Sequence, residues 1–219
     1  MGTLRLLVAG GHEIERKGLC AFVREQPGWH LAAEARDGRE AVERARQVKP
    51  DVAIMEIDMP SLNGLDATRQ ITEDALQTQV LLLARQDTDQ LLPEALEAGA
   101  RGYLLKSDTA DDLVSAVEAL RNGRSFFTAR VSREVVNGYL ERLKETGRAG
   151  HKDDRRLTGR QREVIQLLAE GHSTKEVAIA LNISAKTAGT HRANIMQKIE
   201  CHSVVVLVRY AIRNHIVQA

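Results

Sequence analysis

Cysteine is scarce in this chain. Two stand in 219 residues, Cys20 and Cys201, too distant to frame a disulfide scaffold and without the paired spacing of a zinc site. Cys20 falls in an apolar helical stretch and is expected in a core. For Cys201, with His202 beside it, a structural role outweighs redox or metal sensing. No apolar run reaches the length of a secretion signal or a membrane span, so the chain is expected in the cytosol and off the membrane. Internal repeats and low-complexity tracts are missing too. The glycines of "AGGHEIERKG" suggest a phosphate cradle, but the loop lacks both G-x-G-x-x-G and the lysine–serine pair of a P-loop. A nucleotide- or flavin-binding enzyme is therefore not expected, nor any cofactor. No large surplus of either charge exists, since the net charge is +1. That balance hides a split: residues 151–219 hold 11 Lys and Arg against 6 Asp and Glu, and the preceding residues hold 20 against 24. A basic module behind an acidic one places phosphate binding in the tail.

What is present is patterned. With 43% hydrophobic residues, the chain can bury a core and is long enough for two domains. Residues 4–9, 31–36, 52–57, 80–84 and 102–105 read as buried strands. Residues 13–24, 39–48, 65–71, 91–98 and 111–121 carry a helical period. Five β–α units predict an α/β fold, an open doubly wound parallel sheet with helices on both faces. Such sheets place their working residues at the carboxyl ends of the strands, here Gly10–Gly11, Glu56, Ala84 and Lys106. Trp29 and His30 are expected over the sheet edge. A further helical pattern (Val131, Val135, Tyr139, Leu143) covers 126–144, and 146–156 reads as a flexible linker.

Residues 157–216 contain three capping signals. Thr158 with Gln161 and Ser173 with Glu176 are capping boxes, and Ser184 suits a third N-cap. Gly171 and Asn182 suit the stops between them. Apolar faces follow each start: Val164, Ile165, Leu167 and Leu168; then Val177, Ala178 and Leu181; then Ala188, Ile195 and Ile199. Opposite the last of these lies a small, polar and basic face of Lys186, Gly189, Thr190, Ala193, Asn194 and Lys198. Short helices joined by a tight turn, the second with such a face, predict an all-α helix-turn-helix that lays one helix in the DNA major groove. Lys186, Thr187, His191, Arg192 and Lys198 suit phosphate contact, although His191 and Arg192 can equally pack at the helix flank. Thr190 and Asn194 suit base edges, and Thr174 and Lys175 join the DNA candidates from the preceding helix. The last helix, 203–214, is more apolar than one buried stripe requires. Val204, Val205, Leu207 and Val208 are its candidates for a two-fold dimer contact.

The segment "LTGRQREVIQLLAEGHSTKEVAIALNISAKTAGTHRANIMQKI" resembles the LuxR-type helix-turn-helix of NarL/FixJ response regulators. "KPDVAIMEIDMPSLNGLDATRQI" and "EAGARGYLLKSDTADDLVSAV" resemble the third and fifth strand regions of their receiver domain. Together they imply a flavodoxin- or CheY-like receiver over 1–123, a helical linker over 124–154 and a LuxR-type domain over 155–219. The resemblance implies a homodimeric DNA-binding regulator paired through the last helix, reading two half-sites about one DNA turn apart, and not an enzyme. Family base contacts fall on Gly189, Thr190 and Ala193. Two of these are too small to reach far, which favours close backbone approach and indirect readout. Tyr103 matches the aromatic that family members swing on activation.

A typical receiver uses an acidic pair, a phosphorylated Asp, a Ser or Thr, and a Lys. Carried over by position, these fall on Gly10 and Gly11, Glu56, Ala84 and Lys106, and only the lysine is unchanged. Mg²⁺ wants an octahedron of oxygens and would keep at most Glu56 and a backbone carbonyl, so no metal is expected. Phosphoryl transfer depends on that charge neutralisation. Glu56 is also one methylene too long, misplacing its oxygen by about a bond length, and Ala84 lacks the hydroxyl. The expectation is a receiver not phosphorylated in the ordinary way, and a histidine kinase is a doubtful partner. Glu56 either imitates part of the phosphorylated charge, with one negative charge against about two, or merely pairs with Lys106. Asp58 falls in the loop by its alternation phase. Two other readings stand beside this: a conventional regulator still phosphorylated by its kinase, and a receiver that senses a protein or small ligand and restrains the DNA reader.

Overall fold

A computed structural model of the chain describes residues 2–74, 77–85, 91–128 and 157–217. It divides into two compact units, an α/β unit and a helical unit.

The first unit is built on a parallel sheet ordered β2-β1-β3-β4-β5-β6. Its strands are β1 (Leu4–Ala9), β2 (Trp29–Ala35), β3 (Val52–Glu56), β4 (Gln79–Ala84), β5 (Gly102–Leu105) and β6 (Phe126–Phe127). The central strand β3 is buried at every residue, as a parallel strand covered on both faces must be. Alternation divides the side chains. Leu6, Val8, Val52 and Ile54 meet Cys20 and Val23 of helix α1 (Glu13–Glu25) and Ala116, Val117 and Leu120 of helix α5 (Ala110–Arg121). Helices α2 (Gly38–Val48) and α3 (Gly64–Glu73) pack together and bury Ala41, Val42, Ala45, Leu65 and Ile71, and α4 spans Leu91–Glu97. Cys20 is fully buried, as expected of a core residue.

The doubly wound parallel architecture agrees with the sequence reading, with one correction. Five strands were expected and six are present, because Phe126 and Phe127 pair in parallel with Gly102 and Tyr103. The helical pattern over 126–144 therefore does not begin where periodicity put it, since two residues are too few for a period to register. The rest of that pattern and the linker lie outside the described residues. Strand β2 starts at Trp29, earlier than predicted. The Trp29 indole packs into the core shared with α1 and α5, and its Nε1 donates to Glu118 Oε1 at 3.0 Å. His30, its neighbour, is exposed.

The second unit holds α6 (Gly159–Ala169), α7 (Thr174–Ala180), α8 (Ala185–Lys198) and α9 (Val204–Arg213). Both predicted capping boxes form, with Thr158 and Ser173 each accepting a backbone N–H three residues on while Gln161 and Glu176 reach back. Ser184 Oγ accepts from Thr187 N at 3.0 Å and starts α8. Gly171 at φ +94° and Asn182 at φ +51° end the helices before them in the left-handed region. The core is Val164, Ile165, Leu167, Leu168, Val177, Ala178, Leu181, Ala188, Ile195, Cys201, Leu207, Ala211 and Ile216. Cys201 is buried in that core, its thiol donating to Ser203 O at 3.0 Å. No described helix is long and apolar enough to cross a membrane.

Candidate functional site

At the carboxyl end of the sheet, β3 finishes on Glu56, whose side chain is nearly closed to solvent at 4% exposure. Its two oxygens are both engaged. Oε1 accepts from Lys106 Nζ at 2.8 Å, and Oε2 accepts from Gly11 N at 3.1 Å. His12 brings Nδ1 to 3.7 Å from the same Oε2. Lys106 sits one residue beyond β5, where its backbone N–H donates to Ala84 O at 2.7 Å. Its ammonium also donates to Glu15 on the first turn of α1. Burial works against that charge, but the hydrogen bonds to Glu15 and Glu56 outweigh it and hold the Lys106 pKa above its ordinary value. The same Lys106 hydrogen bond, opposed by partial burial, holds the Glu15 carboxyl below its ordinary value.

Two departures in this pocket are physically linked. A Cβ on Gly10 would lie 2.8 Å from Glu56 Cδ and 3.0 Å from Oε1. The longer acid at 56 thus fills the volume that any side chain at 10 would need. On the far side, a Cβ on Gly64 would meet Glu56 O at 2.2 Å, so α3 can start there only on glycine. Arg16, on the second turn of α1, closes the group. Its Nη1 donates to Gly10 O at 2.7 Å and its Nε to Glu34 Oε1 at 2.8 Å. That bond to Arg16, against partial burial and with help from Lys17, lowers the Glu34 pKa.

Ala84 is fully buried at the end of β4, and Tyr103 is fully buried on β5. Asp58 is half-buried beyond β3. The sheet thus brings Gly10, Gly11, Glu56 and Lys106 into direct contact. It adds three side chains that sequence order did not single out: His12, Glu15 and Arg16. Their one signal was local, since positions 12, 15 and 16 share a side of α1 through i,i+3 and i,i+4 spacing. Nothing in the order of residues said that this side faces residue 56.

In the helical unit, α8 buries Ala188 and Ile195 and exposes Lys186, Thr187, Thr190, Ala193 and Asn194. Gln197 extends this exposed stripe by one helical step and was not anticipated. Gly189 is half-exposed, and a Cβ there would meet nothing within 4 Å. Thr190 Oγ1 donates to Lys186 O at 3.0 Å. Arg192 Nη1 donates to Thr174 Oγ1 at 3.2 Å, tying the flank of α8 to the start of α7. His191, Arg192 and Lys198 are half-buried, and Lys175 is exposed. On α9, Val204, Val205 and Val206 are exposed at 51%, 66% and 46%. Leu207 differs from its candidacy as a contact residue: it is 1% exposed and belongs to the core, because the helical turn after Ser203 points it inward. Val206 takes its place on the apolar surface, and Val208 is half-buried.

Comparison with known proteins follows this division. The family described as "Response regulator receiver domain" matches residues 6–118. The family described as "Bacterial regulatory proteins, luxR family" matches residues 155–211. The chain is 34% identical to the transcriptional regulatory protein LiaR of Bacillus subtilis, over 98% of its own length and 99% of that protein's. It is 32% identical to the response regulator protein VraR of Staphylococcus aureus, over 99% and 100% of the two lengths. A LuxR-family two-component response regulator from Aurantimonas sp. SI85-9A1 is 30% identical with a TM-score of 0.60, covering 64% of this chain and 99% of that one.

Proposed function

Because the chain belongs to the response regulators that join a receiver domain to a LuxR-type DNA-binding domain, we propose that it regulates transcription as a dimer and that its receiver works without phosphoryl transfer. As a member of that family it is a DNA-binding transcription regulator and not an enzyme. The observation that carries the finer reading is the state of Glu56. Its carboxylate is buried, is bonded to Lys106 and Gly11 N, and stands where a side chain at position 10 would have to be.

The Mg²⁺ that the family implies does not fit the donors present. Positions 10 and 11 offer only backbone, and the Gly10 carbonyl already accepts from Arg16. Both Glu56 oxygens are engaged, and an octahedral magnesium site needs several free oxygens. With no hydroxyl at Ala84, a phosphoryl group would also lack the partner that reads it. The Lys106–Glu56 pair instead fills this place with a lysine ammonium bonded to the carboxylate. That favours a fixed receiver over a cycling one, while partial mimicry by one carboxylate is weaker than a phosphoryl group carrying about two charges.

On the DNA side, the exposed stripe of α8 supports major-groove entry. Exposed Lys175 and Lys186 suit phosphates, and exposed Thr190, Asn194 and Gln197 suit base edges. The three exposed valines of α9 support pairing of two copies across a two-fold axis. Incubation with a small phosphodonor and Mg²⁺, followed by intact mass measurement, tests the receiver reading. No mass change is expected, and a gain of one phosphoryl group at Glu56 or Asp58 overturns it.

A further inference from the structure

Beside the Glu56 group, between α1 and α5, the receiver holds a cavity of about 400 Å³, a size typical of small-ligand pockets. Its apolar walls are Leu19 of α1, Leu83 of β4, Leu104 of β5 and Leu113 of α5. Strand β4 lies between β3 and β5, where a leucine is ordinarily covered on both faces. Leu83 is nonetheless half-exposed, as are Leu19 and Leu113, although all three pack against the core. The polar part of the lining is acidic, with Glu15, Glu56 and Asp108 against Lys106 alone. Lys106 is already committed, bonded to both Glu15 and Glu56. Asp108 is not. It is half-buried, and its Oδ2 accepts from Leu105 N at 2.9 Å, while its Oδ1 accepts from no described residue.

We propose that this cavity binds a small organic amine, its hydrocarbon body against the four leucines and its ammonium on Asp108 Oδ1. Apolar walls with one polar anchor are how small-molecule sites fix an orientation, and an ammonium on a carboxylate is a charge-assisted bond. Lys106 stays where it is and forms part of the wall. An anion would meet the surplus of acid, and a neutral molecule would leave the Asp108 charge unanswered. A second copy of the chain fits less well. Ile14, 89% exposed on α1, is the apolar side chain it would insert, but exposed Glu13 and Glu15 flank that residue and would set acid against acid. Lys106 and Asp108 belong to the β5–α5 connection, so an occupant bears on that connection directly. The inference rests on the reading of the receiver as worked without phosphoryl transfer, and names what works it instead. The two fail separately, because a phosphodonor reads Glu56 and Asp58 by mass, whereas an amine reads the cavity by heat of binding.

The full chain is titrated by calorimetry with 2-phenylethylamine and with two probes of like shape, neutral 2-phenylethanol and anionic 3-phenylpropanoate. One equivalent of the amine is expected to bind saturably, the alcohol about tenfold more weakly, and the carboxylate not at all. Asp108→Asn keeps an oxygen for Leu105 N, and it should lower the amine to the level of the alcohol while leaving the alcohol unchanged. Leu113→Trp fills the space from a half-exposed position and should remove both. Absence of amine uptake overturns the proposal, as does equal uptake of the three probes. So does uptake indifferent to both substitutions, which would place the amine elsewhere on the surface. A dimer that Ile14→Lys breaks, in a chain that takes up no amine, gives the cavity to a second copy and overturns it too.

Discussion

Glycine at position 10 and glutamate at position 56 are one feature, not two losses. A Cβ at 10 would press on the Glu56 carboxyl at 2.8 Å, and overpacking of this kind costs about 1–3 kcal/mol. Gly10→Ala is therefore expected to destabilise the receiver by about that amount. Glu56→Asp withdraws the methylene, so the same change should cost less in its background. A double-mutant cycle by denaturant unfolding is expected to show a coupling of about 0.5–3 kcal/mol; additive costs would mean that the two positions do not share this space. The identities of these residues were readable from strand phase and position. Their contact was not, because reach and volume at the end of a strand are set by packing from α1 and α3.

The ion pairs of Lys106, and those of Glu34 with Arg16 and Lys17, give the receiver a defined pH response. The Glu15 and Glu34 pKa values lie below the ordinary 4.5. Their contribution is therefore fully present above about pH 4.5 and is lost as pH falls through the lowered folded values. Lys106 is held above its ordinary 10.5. Its contribution is present below that value and is lost as pH rises through the folded pKa. Between these limits the network contributes a flat plateau. Since the hydrogen bond from Lys106 is the largest cause of the Glu15 shift, Lys106→Met should flatten the acid limb of a stability–pH curve that the unaltered chain shows. An unchanged acid limb would detach Glu15 from Lys106.

At the scale of the element, the helices of the second unit were the most legible part of the chain. A capping box is a local device in which two side chains satisfy two backbone N–H groups within four residues. The boxes at Thr158 and Ser173 therefore show in sequence order, and both form. Strand β6 was illegible for the opposite reason: two residues carry no period, and only pairing with β5 makes them a strand. The phase of α9 was half legible. A run of valines marks an apolar helix, but Ser203 at its N-cap is what turns Leu207 inward and leaves Val206 outside. On α8, a methyl at Gly189 would enter open space, so nothing steric requires glycine there. Gly in a helix interior costs about 0.5–1 kcal/mol relative to Ala, so Gly189→Ala should raise the thermal stability of the DNA-binding unit. The same methyl stands on the face assigned to DNA and should lower duplex affinity at fixed salt. A variant that is more stable and binds DNA equally well would remove position 189 from the interface.

For the whole molecule, the split of charge was visible before any fold: the basic surplus lies in residues 151–219 and the acidic one ahead of them. It fits a protein in which one unit grips a polyanion and the other does not. What charge cannot supply is a count of copies. A single α8 covers only one half-site, and affinity for a duplex carrying two half-sites about one helical turn apart rises steeply when two readers are joined. Val204, Val205 and Val206 form the apolar surface on α9 suited to that joining. Of these Val205, 66% exposed, is the most exposed, so Val205→Glu should leave the fold intact while placing like charges across a two-fold contact. Sedimentation is expected to show a loss of dimer, and binding to a two-site duplex is expected to fall toward the affinity for a single half-site. A single half-site should bind both forms alike. If Val205→Glu leaves two-site binding untouched, dimerisation does not run through α9, and the receiver becomes the place to look for it.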